Sequence, residues 1–393
     1  MDQKRLEYLH SFYRQHLLEN CIPFWIKNGL DHRYGGILTC LDQKGAAYNT
    51  DKSVWLQGRA TWMFSRLYNL VEPREEWLNA AKLTYDFLCK HCFDEDGRMF
   101  FTVTQDGRPL QKRRYMFSET FAIIGCAEYA KASGDPAALQ KARQVYQMVL
   151  DLYRHSEKTQ PKINPATRAT KALAVPMILL ATTQSLREID PDPGYDDLAL
   201  EFAEVMLRDF YKPARGAMFE TVGLHGEPLD SPQGRCVNPG HSIEAVWFIL
   251  HEGMRRRDQR MIDQALQILD RSLEIGWDNI YGGLLSFVDI DGKPAEQLEW
   301  DMKLWWPHTE AFYALLLAHH VTGDAKYAEW HGKIHDWAFG HFPDRDYPEW
   351  FGYLHRDGSV ANHLKGSVWK GPFHLPRALL LSVKLLEDQM LVR

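Results

Sequence analysis

The chain has 393 residues, 45% hydrophobic and 25% charged, enough to bury a large core and too evenly mixed for a disordered or low-complexity protein. A formal net charge of -6 excludes the basic footprint of a nucleic-acid binder and a polybasic membrane anchor. No Ser/Gly-rich linker or charge block divides the sequence, so residues 1–393 are expected to form one domain.

The N-terminal stretch MDQKRLEYLHSFYRQHLLENC is charged and amphipathic without an apolar signal core, and predicts a helix in a cytoplasmic protein that does not engage a membrane. Six scattered cysteines agree with buried thiols in a reducing compartment. Gly35–Cys40 reads as a short strand leading to the turn Asp42-Gln43-Lys44-Gly45. Beyond it Trp55, Arg59, Trp62, Met63, Arg66 and Leu67 recur at helical spacing. Cys89 and Cys92 form a lone CxxC, for which two helix residues one turn apart is the simpler reading than a metal site. A second turn, Thr104-Gln105-Asp106-Gly107, is followed by Lys112 and Glu119, and Ala166–Ala172 carries Arg168 and Lys171 without a turn glycine.

After Gly223-Leu224-His225-Gly226 comes Asn238-Pro239-Gly240-His241-Ser242-Ile243-Glu244, in which Asn and Pro mark a helix start. Glu244 falls one turn after His241 on the same helix face, where a carboxylate can tune an imidazole. Gly282–Phe287 is a further short strand, Asp289-Ile290-Asp291-Gly292 a further turn, and Lys303 to Glu310 opens a helix continued by Ala311, Leu315, Leu316 and Ala318. His331 and His335 have ligand-pair spacing, and His251-Glu252 begins an HExxH motif, but neither is completed into a zinc site. The last turn, Arg356-Asp357-Gly358, precedes Lys370-Gly371-Pro372-Phe373-His374-Leu375-Pro376-Arg377, a second histidine at a helix start.

The turn glycines stand at 45, 107, 226, 292 and 358, with intervals of 62, 119, 66 and 66. The long interval is two periods whose middle member, near residues 160–170, is degenerate, so six units fit the chain. Helices between sharp turns, without sustained alternation, predict an all-α (α/α)6 barrel: a toroid of six helical hairpins with short β-hairpins in its loops. Lys52 precedes Arg59 by seven residues, Lys112 precedes Glu119 by seven, and Lys303 precedes Glu310 by seven; the corresponding helix starts of the fourth and sixth units carry His241 and His374. This register directs Arg59, Glu119, His241, Glu310 and His374 to one cavity. The 13 Trp, 17 Tyr and 19 Phe suit a pocket that stacks sugar faces, although most must be core. No phosphate loop or dinucleotide fingerprint occurs, which leaves the chemistry to side chains.

Over nearly its whole length the chain resembles the N-acylglucosamine 2-epimerase family. The carrying phrases are Asp31–Gly36 (DHRYGG), Asp51–Arg59 (DKSVWLQGR), KALAVPMILL from Lys171, NPGHSIEAVWF from Asn238, WDNIYGGLL from Trp277, LEWDMKLWWPHTEA from Leu298 and WKGPFHLPRA from Trp369. The resemblance implies an (α/α)6 barrel that epimerises or isomerises sugars, with N-acetylglucosamine as first-choice substrate. Cellobiose 2-epimerases and aldose–ketose isomerases of the superfamily look similar at His241, Glu244 and His374, but carry a histidine where this chain has Lys171. It further implies a homodimer, and ATP as an allosteric activator rather than a reactant.

Under this resemblance, proton exchange at C2 of the open-chain sugar needs two groups on opposite faces of an enolate. His241 and His374 are the expected pair, Glu244 tunes His241, and Lys171 rivals either base. Arg59, Arg377, Glu310, Lys303 and Glu119 are expected to hold the amino sugar, and Trp305 or Trp306 to stack on it. No metal and no cofactor are required for this chemistry. Two other classes stay open: an inverting glycosidase using Glu244 and Glu310, and a binding protein, since mammalian family members are known as renin-binding proteins.

Overall fold

The computed structural model describes residues 1–112, 115–159 and 163–391. Fourteen α-helices occur among these: α1 (Gln3–Gln15), α2 (Ile22–Gly29), α3 (Val54–Leu70), α4 (Glu75–His91), α5 (Phe117–Ser133), α6 (Pro136–Arg154), α7 (Ala174–Arg187), α8 (Gly194–Val205), α9 (Pro232–Arg235), α10 (Pro239–Arg256), α11 (Gln259–Gly276), α12 (Trp305–Thr322), α13 (Ala325–His341) and α14 (His374–Leu391). Their burial sorts them into two rings. In α11 the buried residues Met261, Ala265, Ile268, Leu269 and Leu273 make one stripe, as expected of a helix with a wet face. In α5 and α12 burial is continuous from Ser118 to Ala130 and from Pro307 to His319, as expected of helices enclosed on all sides.

The inner ring runs α3, α5, α7, α10, α12, α14 and closes where α14 meets α3; α4, α6, α8, α11 and α13 each pack outside the inner helix they follow. The sixth hairpin is made from the two ends of the chain, since α1 packs on α14. A buried cluster pins α1 there: the Tyr13 hydroxyl lies 2.9 Å from Nε2 of His331 and 2.8 Å from Nδ1 of His335 on α13. That contact accounts for the spacing of the two histidines. The closest inner pair, α3 and α5, meets at Gly58 and Gly125, where a Cβ on Gly58 would stand 2.6 Å from the Phe121 carbonyl.

Each turn glycine of the repeat has left-handed backbone: φ is 89° at Gly45, 91° at Gly107, 84° at Gly226, 70° at Gly292 and 86° at Gly358. In the degenerate unit the Asn164 carbonyl accepts from the amides of Thr167 and Arg168, and residues 160–162 lie outside the described residues. The strand entering an inner helix pairs antiparallel with the hairpin of the following unit, as Lys52–Ser53 with Thr102–Val103 and Lys303–Leu304 with Tyr353–Leu354. These hairpins rim the end of the barrel at which the inner helices begin.

The lysines of the register do not reach the barrel axis. Lys52 Nζ donates to Asp31 at 2.8 Å, Lys112 to Asp94 at 2.8 Å, and Lys303 to Asp278 at 3.0 Å. Lys52 and Lys303 tie the entry strand of an inner helix to the end of the preceding outer helix, and Lys112, just past the strand Pro109–Gln111, makes the same link for α5, so Lys303 is a structural brace rather than a substrate contact. All six cysteines are free thiols. Among the described residues no helix is long and apolar enough to cross a membrane.

Candidate active site

A cavity of about 1300 Å³ occupies the bore, lined where the inner helices begin by Trp55, Arg59, His241, Trp306, His374 and Arg377. The side chain of Asn238 caps α10 by accepting from the His241 amide at 3.1 Å, which fixes the first turn and the direction of the His241 side chain. His241 Nδ1 lies 2.9 Å and 3.1 Å from the two carboxylate oxygens of Glu220. Nδ1–H therefore donates to Glu220, leaving Nε2 as the nitrogen with which to meet a substrate. Burial opposes a charge on this imidazole, but Glu220, with help from Glu244, raises its pKa above the ordinary histidine value.

His374, the first residue of α14, places Nδ1 2.7 Å from Glu310 Oε1. Burial and the nearby Arg59 charge push its pKa well below the ordinary value, against the opposing pull of Glu244. It is a neutral imidazole with Nδ1–H on Glu310 and a lone pair on Nε2. The two imidazoles are thus driven in opposite directions, His241 toward its charged form and His374 toward its neutral one. Trp306 stands beside both, its ring centroid 5.0 Å from that of His241 and 5.8 Å from that of His374. Trp305 meets His374 edge-on at 6.3 Å.

Arg377, one turn along α14, uses Nη2 to donate to Glu244 at 2.6 Å and Glu310 at 2.7 Å. Glu310 also accepts from Trp247 Nε1 at 2.9 Å, so its carboxylate is held from three sides. Arg59 lies over Phe121 at 4.0 Å and Phe373 at 4.7 Å, with Nε buried and without a partner. Burial and Arg377 bring its pKa down to about 9, which leaves it charged at neutral pH. Among the described residues it has no ion pair with a carboxylate, so its donors remain available to an anionic oxygen. Donor atoms of Glu244, Glu310 and His374 lie within 4.8 Å of one another, a spacing that could hold a metal ion, but the Arg377 guanidinium already bridges the two carboxylates.

Of the residues expected from sequence, Arg59, His241, Glu244, Trp305, Trp306, Glu310, His374 and Arg377 come together. Three do not. Lys171 lies on the strand Thr170–Ala172 and binds Asp209 at 2.5 Å, which corrects its reading as a candidate base. Lys303 is the brace described above. Glu119 accepts from Arg98 at 2.6 Å and from the Met99 amide at 3.0 Å, bracing the loop before α5. Glu244 does act on the charge of His241, as expected, but it does so through space while bound by Arg377; the carboxylate in contact with Nδ1 is Glu220, which sequence reasoning missed.

A closed ring of six helical hairpins, with two carboxylate-bound imidazoles beside a tryptophan, defines an α/α-barrel enzyme equipped for proton transfer. The chain belongs to the N-acylglucosamine 2-epimerase (GlcNAc 2-epimerase) family, whose pattern matches residues 35–375. It is 36% identical over 382 residues to the N-acylglucosamine 2-epimerase of Bos taurus, covering 94% of this chain and 90% of the relative. The solved cellobiose 2-epimerase from Bacillus thermoamylovorans B4167 superposes with a TM-score of 0.86 at 19% identity, covering 96% of this chain and 99% of that one. The cellobiose 2-epimerase from Spirochaeta thermophila DSM 6192 does so with a TM-score of 0.85 at 22% identity, covering 99% of each chain. At these identities the two structures show the (α/α)6 fold.

Proposed function

We propose that the chain is an N-acyl-D-glucosamine 2-epimerase, interconverting N-acetylglucosamine and N-acetylmannosamine by two-base proton exchange at C2. The observation that carries this reading is the pair of imidazoles on α10 and α14, flanking Trp306, each with Nδ1 on its own carboxylate and with Nε2 left for the substrate. In the open-chain sugar the aldehyde acidifies the C2 proton. Nε2 of His374 takes that proton, Arg59 faces the charge that develops on O1, and Nε2–H of His241 returns a proton to the opposite face. Glu310 stabilises the imidazolium formed on His374, and Arg377 fixes Glu310. In the reverse direction the histidines exchange roles.

An inverting glycosidase would need one of Glu244 and Glu310 as a free acid and the other as a base. Both are held by one guanidinium, which supports the epimerase reading instead. The proposed reaction uses side chains alone and gives ATP only the place of an allosteric activator. A homodimer in the cytoplasm completes the proposal. Incubation with free N-acetylglucosamine should yield N-acetylmannosamine by proton NMR and leave glycosides intact; release of a monosaccharide from a glycoside, with no epimer, would overturn the reading.

A further inference from the structure

At the end where the inner helices begin, the bore is polar on one side and apolar on the other, a consequence of ring order. With the inner helices arranged α3, α5, α7, α10, α12, α14, α5 faces α12 across the ring and α7 faces α14. The cavity side of α5 consists of Phe117, Phe121 and Ile124, and that of the upper turns of α7 includes Met177, Ile178 and Ala181. Beyond Ala181 the α7 lining turns polar, first with Thr182, which gives its hydroxyl to the Ile178 carbonyl at 2.7 Å, then with Gln184, Ser185, Arg187 and Glu188. The charged and hydrogen-bonding groups of the site all come from the opposite side or from α3.

A sugar carries a hydroxyl on nearly every carbon, and such groups are costly to bury against a wall that offers no partner. An N-acyl amino sugar has one apolar part, the end of its acyl chain. In the proposed reaction C2 lies between Nε2 of His241 and Nε2 of His374, beside Trp306 of α12, with the enolate plane across the line joining the imidazoles. C1, C3 and the acylamino nitrogen all lie in that plane, and the direction away from α12 leads to α5 and α7. C1 needs Arg59 for its oxygen and C3 bears a hydroxyl, which leaves the acylamino group for the apolar wall. We infer that the α5–α7 wall is the subsite for the substrate's N-acyl group and that it accepts chains longer than acetyl, an inference that rests on the C2-epimerase reading. The cavity of about 1300 Å³ exceeds what one amino sugar fills, and the apolar part of its lining runs along α7 through Ala174, Met177, Ile178 and Ala181, roughly 10 Å of helix.

The test measures kcat/KM of the full-length enzyme by NMR for N-formyl-, N-acetyl-, N-butanoyl- and N-pentanoylglucosamine. N-formylglucosamine should lose about fourfold against N-acetylglucosamine, the effect of one buried carbon. The butanoyl and pentanoyl substrates should stay within about tenfold of acetyl. Ala181→Phe should lower the pentanoyl-to-acetyl ratio by about tenfold or more, while Ile178→Ala should raise it. A folding defect would instead scale both substrates alike, and the wild-type series does not depend on either variant. Rejection of pentanoyl by more than about a hundredfold in the wild type, or variants that leave the ratio unchanged, would overturn the acyl subsite while acetyl turnover upholds the epimerase. Absence of acetyl turnover would defeat the epimerase reading itself.

Discussion

Each histidine is paired with its own carboxylate at Nδ1, Glu220 for His241 and Glu310 for His374, yet the two are driven in opposite directions. The difference lies in the arginines. Glu244 pulls upward on both rings, but at His374 Arg59 and Arg377 oppose it, whereas at His241 it reinforces Glu220. The working state has one proton on the pair: at low pH both rings are charged and no base remains, and at high pH both are neutral and no acid remains. The pH profile of kcat/KM should therefore be a bell with its acid limb below, and its alkaline limb above, the ordinary histidine pKa. Both sugars should share that bell, because the forms that accept them differ only in which ring holds the proton. Glu220→Gln keeps a hydrogen-bond acceptor but removes the charge, and should move the alkaline limb down by about one pH unit or more. An unmoved limb would show that Glu220 does not set the His241 proton affinity. His241→Asn and His374→Asn should each fold and lose at least about 10²-fold in turnover, measured by product NMR on protein with an unchanged melting curve.

At the scale of the elements, the repeat was legible but its register was misleading. Arg59, Glu244 and Glu310 are each the sixth residue of their inner helix, which is why they converge with Arg377. Glu119, also seven residues after a lysine, is only the third residue of α5, because that helix starts later after Lys112. It is rotated away from the bore and braces Arg98 instead. The lysines themselves belong to a different repeated device, the tie from entry strand to outer helix. Lys303→Met would leave Asp278 buried with Arg356 as its remaining side-chain partner, and should cost about 3 kcal/mol of stability, read as a lowered denaturant midpoint. A midpoint within error of wild type would show that the tie is not needed. Glu220 could have been found only by aligning the loops on their isolated bridges. Two residues beyond the bridged Ile37, Met99, Leu284 and Trp350 stand Thr39, Phe101, Ser286 and Gly352, and two beyond Met218 of the fourth unit stands an acid, Glu220.

For the whole molecule, the glycine period implied six hairpins, and the two histidine helix starts marked the end of the barrel that carries the chemistry. That the sixth hairpin joins the chain ends was not legible, because the contact of α1 with α14 leaves no local signal in either segment. The spacing of His331 and His335 becomes intelligible only once Tyr13 lies between them. Ring closure is also what sets α10 and α14 on either side of α12, and so what permits removal of a proton from one face and its return to the other. Two-face transfer is the central claim, and proton NMR of N-acetylglucosamine turnover in heavy water tests it most directly. At early conversion the N-acetylmannosamine formed should carry deuterium at C2, since the base that takes the proton is not the acid that returns one. Product that keeps its C2 proton throughout would contradict the account and point to a single shuttling group.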